Sequence, residues 1–156
     1  MAIEEIYELQ HSGAKLKGGF SRFDYQMKRM NQSPSFRSLI GYLPAQSSNI
    51  YYRDQIGNIS TSDIRVNSDG ELELEVQTRF PMFGGWQTQF YIGYSVPTEL
   101  MLFRDSSERY TLKFDFFTIF KDVWIDDLEI KVVLPEGCTN IKVNVPYQVE
   151  ENRSIR

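Results

Sequence analysis

Side chains suited to chemistry are scarce in this chain, and their spacing decides what they can do. There is one histidine, His11, and one cysteine, Cys138. A zinc site made from those ligands needs more of them. A lone cysteine closes no intrachain disulfide, and Cys138 in Leu-Pro-Glu-Gly-Cys-Thr-Asn reads as a small residue beside a turn glycine. A reactive thiol needs a basic or helix-terminal setting, and only Lys142 is near in sequence. His11 lies beside serine and glycine, without a Gly-x-Ser-x-Gly elbow or a His-Glu-x-x-His pair, so an exposed strand-end role is the simpler reading. Glu71, Glu73 and Glu75 share one face of a straight strand, whereas a calcium loop gathers its acids on a curved backbone. They read as a solvated face. Asp122, Asp126 and Asp127 flank Trp124 and read as loop and capping residues.

Two glycine pairs, Lys-Gly-Gly-Phe (17–20) and Phe-Gly-Gly-Trp (83–86), fit neither the dinucleotide nor the Walker pattern. Turn geometry, where glycine supplies positive φ without a steric penalty, explains them. One stretch, residues 14–30, interleaves Lys15, Lys17, Arg22, Lys28 and Arg29 with Phe20, Phe23 and Tyr25. Single-strand nucleic-acid binders combine such residues. The net charge of -4, from 21 acidic and 17 basic residues, argues against a nucleic-acid partner or a general affinity for anionic lipid. Alternating strand faces are the preferred reading. The sharpest short motif is Asn58-Ile59-Ser60, an N-glycosylation sequon next to a turn. Asn31-Gln32-Ser33 and Asn152-Arg153-Ser154 also match, but Pro34 follows the first and the second lies near the chain end.

The elements that must carry these residues are mostly strands. Alternation of period two runs through 71–80, placing Leu72, Leu74, Val76, Thr78 and Phe80 on one face. It recurs over 85–96, with Trp86, Thr88, Phe90, Ile92, Tyr94 and Val96 inward. Further strands are expected at 3–10, 20–27, 35–43, 49–54, 63–67, 110–120, 127–137 and 140–150. Asn67-Ser68-Asp69-Gly70 reads as a hairpin turn. Pro146 suggests an edge strand. Residues 96–110 could hold one short helix capped by Thr98.

The 156 residues are 41% hydrophobic and 14% aromatic, which suits one globular domain spanning 1–156. The expected fold is all-β, an antiparallel β-sandwich with at most one or two short helices. No apolar run approaches the ~20 residues of a membrane span. The polar end, Glu-Glu-Asn-Arg-Ser-Ile-Arg, and the abrupt start suggest a piece of a longer protein.

Four longer strings are more specific than any short motif. They are LQHSGAKLKGGFSRFDYQ (9–26), IYYRDQIGNISTS (50–62), RFPMFGGWQTQFYIGY (79–94) and VVLPEGCTNIKVNVPYQV (132–149). In order, and over nearly the whole chain, they resemble the ribophorin I family. That family supplies subunit 1 of the endoplasmic-reticulum oligosaccharyltransferase, the dolichyl-diphosphooligosaccharide–protein glycosyltransferase complex. The resemblance implies a membrane-proximal part of the lumenal region of a single-pass protein whose membrane anchor lies outside this chain. It implies an accessory role without catalysis or cofactor, since metal and lipid-linked oligosaccharide belong to a different, multi-spanning subunit. The implied partners are other oligosaccharyltransferase subunits and nascent acceptor polypeptide, and the implied glycosylated residue is Asn58. Gly19 and Cys138 depart from the family's expected proline and alanine.

An interaction module should expose aromatics within a polar rim. Tyr51, Tyr52, Phe83, Trp86 and Trp124 are the residues to watch. A glycan-binding sandwich using Trp86 or Trp124 as a sugar platform is the alternative. An enzyme with a site split across a subunit interface is a third reading, and the single histidine counts against it.

Overall fold

The computed structural model describes residues 1–27, 34–60, 63–68 and 70–154. Asn31, Lys28 and Arg29 lie outside the described residues. The chain divides into two units, residues 1–123 and 124–156.

In the first unit the strands are β1 (Ala2–Gln10), β2 (Ser35–Leu43), β3 (Ser48–Asp54), β4 (Asp63–Val66), β5 (Leu72–Phe83), β6 (Gln87–Ser95), β7 (Leu102–Arg104) and β8 (Tyr110–Leu112). Among the described residues, one short helix, α1 (Arg22–Met27), lies between β1 and β2, and a 3-10 turn covers Thr98–Leu100. The strands form two antiparallel three-stranded sheets, β1-β6-β3 and β2-β5-β4, with β7 and β8 as a separate hairpin. The fold is all-β, as the alternation predicts.

The two sheets share one core. Leu43, Leu74 and Val76 from one sheet meet Tyr52, Phe90, Ile92 and Tyr94 from the other. Burying a side chain of this size contributes roughly 1.5–3 kcal/mol. The register is fixed by that burial, because a one-residue slip of β6 would turn Phe90, Ile92 and Tyr94 to solvent. Residues 118–120 fold back onto this core: Ile119 and Phe120 are buried, and Tyr42 N–H donates to the Ile119 carbonyl at 2.9 Å. Glu5 on β1 ties them further. Its carboxylate accepts from Tyr7 Oη, from Tyr94 Oη at 2.7 Å and from the Ile119 N–H at 3.3 Å.

Several expectations need correction. Residues 22–27 are helical, where 20–27 reads as a strand. Ser21 explains it: its carbonyl accepts from Tyr25 N–H at 3.0 Å and its Oγ accepts from Asp24 N–H at 3.1 Å, an N-cap signal. Thr98 is not a helix cap. Pro97 holds that position, and Thr98 Oγ1 accepts from the Met1 amino group at 3.3 Å. Phe80 is exposed because the β2–β5 register shifts between Phe36 and Ser38, after which Pro81, Met82 and Phe83 are the buried residues. The buried Thr78 sits at that shift, and its Oγ1 donates to the Arg37 and Phe80 carbonyls. Of the expected 110–120 strand, Tyr110–Leu112 lies in a ladder and Phe120 in an isolated antiparallel bridge to Gly41.

In the second unit the expected strands 127–137 and 140–150 carry no strand ladder among the described residues, and their side chains are exposed almost throughout. Gly137 and Asn140 both have positive φ at the turn between them. Arg153 reaches back to the Ile141 carbonyl at 3.2 Å. Among the described residues of the chain, no helix is long and apolar enough to cross a membrane.

Candidate functional site

The end of β1 does not stop at Gln10. His11 N–H donates to the Trp86 carbonyl at 3.0 Å, and Gly85 N–H donates to the His11 carbonyl at 2.7 Å. This carries the chain along the 83–86 turn, where Lys15 bridges Gly84 in parallel. Gly84 is glycine for a spatial reason: a Cβ there would overlap the Ala14 carbonyl. Gly85 and Gly18 are glycine for a conformational one, with φ of 84° and 86°. The turn reading of both glycine pairs therefore stands, and the turns do more than reverse the chain. They face each other across a cleft of about 370 Å³, lined by Lys15, Leu16, Gly18, Phe20, Gly84, Gly85 and Trp86.

The walls of the cleft are aromatic. The Phe20 ring lies 5.4 Å from Trp86 and 5.5 Å from Phe83, and Trp86 also meets Phe83 at 5.2 Å and Phe80 at 5.9 Å. Tyr25, brought in by α1, completes the group against Phe83 at 5.9 Å. Such pairs add about 0.5–1.5 kcal/mol each beyond area burial. Phe83 is buried beneath the cleft, Trp86 is half-buried and Phe20 is exposed. Lys15 supplies the one formal charge of the lining. On the other side of residues 13–14 a second hollow of about 460 Å³ is lined by His11, Gly13, Ala14, Pro34, Ser35 and Phe36. There His11 is half-buried, not exposed as the simple reading had it. Its Nδ1 lies 3.1 Å from the Met82 carbonyl and its ring meets Phe36 edge-on. A carbonyl only accepts, so Nδ1 carries the proton and this histidine holds β1 to β5.

The remaining watched residues fall elsewhere. Tyr52 is a core residue; its Oη donates to the Gln77 carbonyl at 3.1 Å, and burial pushes its pKa up to about 12. Tyr51 lies on the outer face, across Gly93, with Oη on Glu4 at 2.7 Å and Arg53 over its ring. Trp124 is 90% exposed, and its indole N–H donates to Asp126 at 2.8 Å. Of the acidic row, Glu71 and Glu75 lie 3.8 Å from Lys121 and Arg65. Among the described residues no group of three His, Cys, Asp or Glu side chains comes together as a metal site. The cleft is not legible in the sequence because its walls come from segments far apart along the chain. Only Ser21 as an N-cap offered a local signal that residues after Phe20 turn inward as a helix.

Asn58 sits opposite Arg53 on the return arm of a tight hairpin, exposed, with Ser60 exposed beside it. Asn152 is also exposed. The hairpin is pinned by Asp54. Arg79 binds its carboxylate through Nε and Nη2 at 2.5 and 2.7 Å, and the Gly57 and Ile56 N–H groups donate to Asp54 Oδ1 at 3.0 and 2.9 Å. The Arg79 hydrogen bonds, helped by those N–H groups, lower the Asp54 pKa from 3.8 to about 2. A depressed carboxylate pKa stabilises the fold above its ordinary value, and that stability is lost as pH falls through the folded value. Asp54→Asn should therefore cost on the order of 1 kcal/mol at neutral pH. In urea unfolding series, the gap to the wild type should close as pH falls from about 4 to about 2.

The profile of the Ribophorin I family matches residues 1–156. The chain is 45% identical over 152 residues to dolichyl-diphosphooligosaccharide–protein glycosyltransferase subunit 1 of Caenorhabditis elegans, covering 96% of this chain and 26% of that protein. It is 43% identical to subunit 1B of Arabidopsis thaliana, covering 100% of this chain and 34% of that protein. It is also 43% identical to subunit 1B of Oryza sativa subsp. japonica, covering 96% of this chain and 32% of that protein. The chain thus spans about a quarter to a third of the length of these curated relatives. With a profile match over every residue and the quoted strings of the aromatic cleft and the hairpin inside it, the chain belongs to the ribophorin I family.

Proposed function

We propose that this chain is a noncatalytic lumenal part of an oligosaccharyltransferase complex of the endoplasmic reticulum, serving the N-glycosylation of nascent proteins. Its outer faces hold neighbouring subunits, and its aromatic cleft receives unfolded acceptor polypeptide. Membership of the complex is supported by relatives that are glycosyltransferase subunits 1 and 1B. The observation that carries the docking role is the cleft itself: aromatic walls, the exposed turn glycines Gly18 and Gly85, and Lys15 as the single charged lining residue. Such a lining can grip an apolar or aromatic side chain of an extended peptide. It lacks a paired acid and base, so it suits holding a substrate and not activating one. The chemistry of transfer is left to another subunit: a sugar's anomeric carbon leaves its diphosphate and bonds the acceptor asparagine nitrogen, which gives up a proton.

The test is chemical-shift perturbation of the full chain with an unfolded acceptor peptide. Signals of Phe20, Gly84, Gly85 and the Trp86 indole should move together. Phe20→Ala should weaken binding about tenfold, the loss expected for an exposed aromatic anchor. No shifts at high peptide excess would leave scaffolding alone.

A second reading, a sugar platform, is favoured by one observation, the open indole of Trp124. A glycan array with no hits would remove it, and loss of hits in Trp124→Ala would support it.

A further inference from the structure

The hairpin that carries Asn58 has a feature the docking role does not use. Asp54 and Gly57 exchange backbone hydrogen bonds at 3.1 and 3.2 Å, leaving Gln55 and Ile56 as a two-residue tip. The Asp54 carboxylate caps the Ile56 and Gly57 N–H groups, and Arg79 clamps that carboxylate, so the tip is held from both sides. On the return arm, Ile59 N–H donates to the Tyr52 carbonyl at 3.1 Å, and both side chains are buried. Strand alternation then turns their neighbours, Arg53 and Asn58, toward solvent.

The amide of Asn58 is oriented as well. Arg53 Nε lies 2.6 Å from Asn58 Oδ1. A guanidinium only donates, so the oxygen must face it. Nδ2, the atom that takes a sugar, is left without a partner among the described residues. After modification Oδ1 is still a carbonyl acceptor, so the bond to Arg53 survives. Two residues before Asn58, at the tip, Ile56 is 78% exposed. It is the most exposed large hydrophobic side chain among the described residues of 1–123. One exposed isoleucine is ordinary on a protein surface. One held on a pinned two-residue tip, beside an asparagine whose nitrogen is turned free, is a specific juxtaposition.

We propose that a glycan on Asn58 lays the apolar face of its first N-acetylglucosamine over Ile56 and thereby stabilises the 54–59 hairpin. This rests on the reading of Asn58 as an occupied acceptor. The sugar ring's C–H groups and the acetyl methyl are the matching apolar surface. The gain comes from removing Ile56 from water at a tip that loses little further entropy, because Asp54 and Arg79 already order it. The rest of the oligosaccharide extends into solvent and contributes nothing to the contact.

The experiment uses the full chain made through a eukaryotic secretory pathway, as wild type, Asn58→Gln, Ile56→Ser and the double variant. Intact mass reports glycan at Asn58, and thermal unfolding reports stability. Wild type should unfold about 3 °C above Asn58→Gln, the size of shift expected from covering one aliphatic side chain in a chain of this length. Trimming the glycan to its first sugar with an endoglycosidase should keep that difference. In the Ile56→Ser background the difference should fall below about 1 °C. Nuclear Overhauser contacts should join the Ile56 methyls to the first sugar in the wild type. A difference undiminished by Ile56→Ser, loss of the difference on trimming, or no contact to the sugar overturns this inference and leaves the acceptor reading standing. No glycan mass at Asn58 overturns the acceptor reading, and this inference with it.

Discussion

Gly84→Ala should dismantle the aromatic cleft and lower the stability of the fold by roughly 1–3 kcal/mol, the range for forcing extra atoms into a filled site. The added Cβ would overlap backbone, the Ala14 and Gly13 carbonyls, and backbone cannot swing aside as a side chain can. Relief requires the 13–16 segment to lift, which takes Lys15 and Leu16 out of the lining and removes the support for Phe20. The thermal midpoint should fall by several degrees, and the ring-current-shifted signals of Phe20 and Trp86 should move toward ordinary positions. Two controls separate crowding from conformation. At Gly18 a Cβ meets open space, so alanine costs only the positive φ, roughly 1 kcal/mol. At Gly19 nothing lies within reach and φ is not in the left-handed region, so alanine should be close to neutral.

Glu5→Ala is expected to cost more, roughly 2–5 kcal/mol from the donors left unsatisfied. The carboxylate is the shared acceptor of Tyr7 Oη, Tyr94 Oη and the Ile119 N–H, all of them at least half-buried. Removing it leaves three donors to find partners, although Tyr7 keeps Thr118 Oγ1 at 2.5 Å. Residues 118–120 should detach first, since Tyr42 N–H is then their main remaining tie to β2. Amide exchange at Ile119 and Phe120 measures this directly, and Glu5→Gln, which retains one acceptor oxygen, should recover part of the loss.

The same network gives the wild type an alkaline limit. Burial first, and then the Glu5 charge, push the Tyr7 and Tyr94 pKa values well above 10; burial raises Tyr52 to about 12. A raised pKa means that stability is complete below the ordinary value and is lost as pH climbs beyond it, because the unfolded chain ionises while the folded chain resists. Unfolding followed by phenolate absorbance should begin above about pH 10. It should be cooperative, with these tyrosines ionising only as the fold opens.

What could be read from the sequence follows from how local each signal is. Leu74, Val76, Phe90, Ile92 and Tyr94 announce themselves by alternation, and all are buried. Alternation says nothing about a bulge, and so it puts Phe80 on the wrong face where the register shifts near Thr78. The Phe20–Met27 stretch has enough aromatics to pass for a strand, and the decisive residue was Ser21, whose side chain caps α1. The segments 127–137 and 140–150 show that alternation does not suffice to make a paired strand. The exposure of Asn58 follows from its turn, which is local. The cleft depends on Gly84 leaving room for the Ala14 carbonyl, a close approach between distant segments that neither glycine pair reveals alone.

Photo-crosslinking tests whether the Phe20–Trp86 cleft holds an unfolded acceptor chain. A benzoylphenylalanine in place of Phe20, in full-length protein within membranes translocating a radiolabelled acceptor chain, should crosslink to that chain before it is glycosylated. The same probe in place of the exposed Ile64 on β4 should not. Crosslinks of equal yield from both positions, or none from position 20, would contradict it.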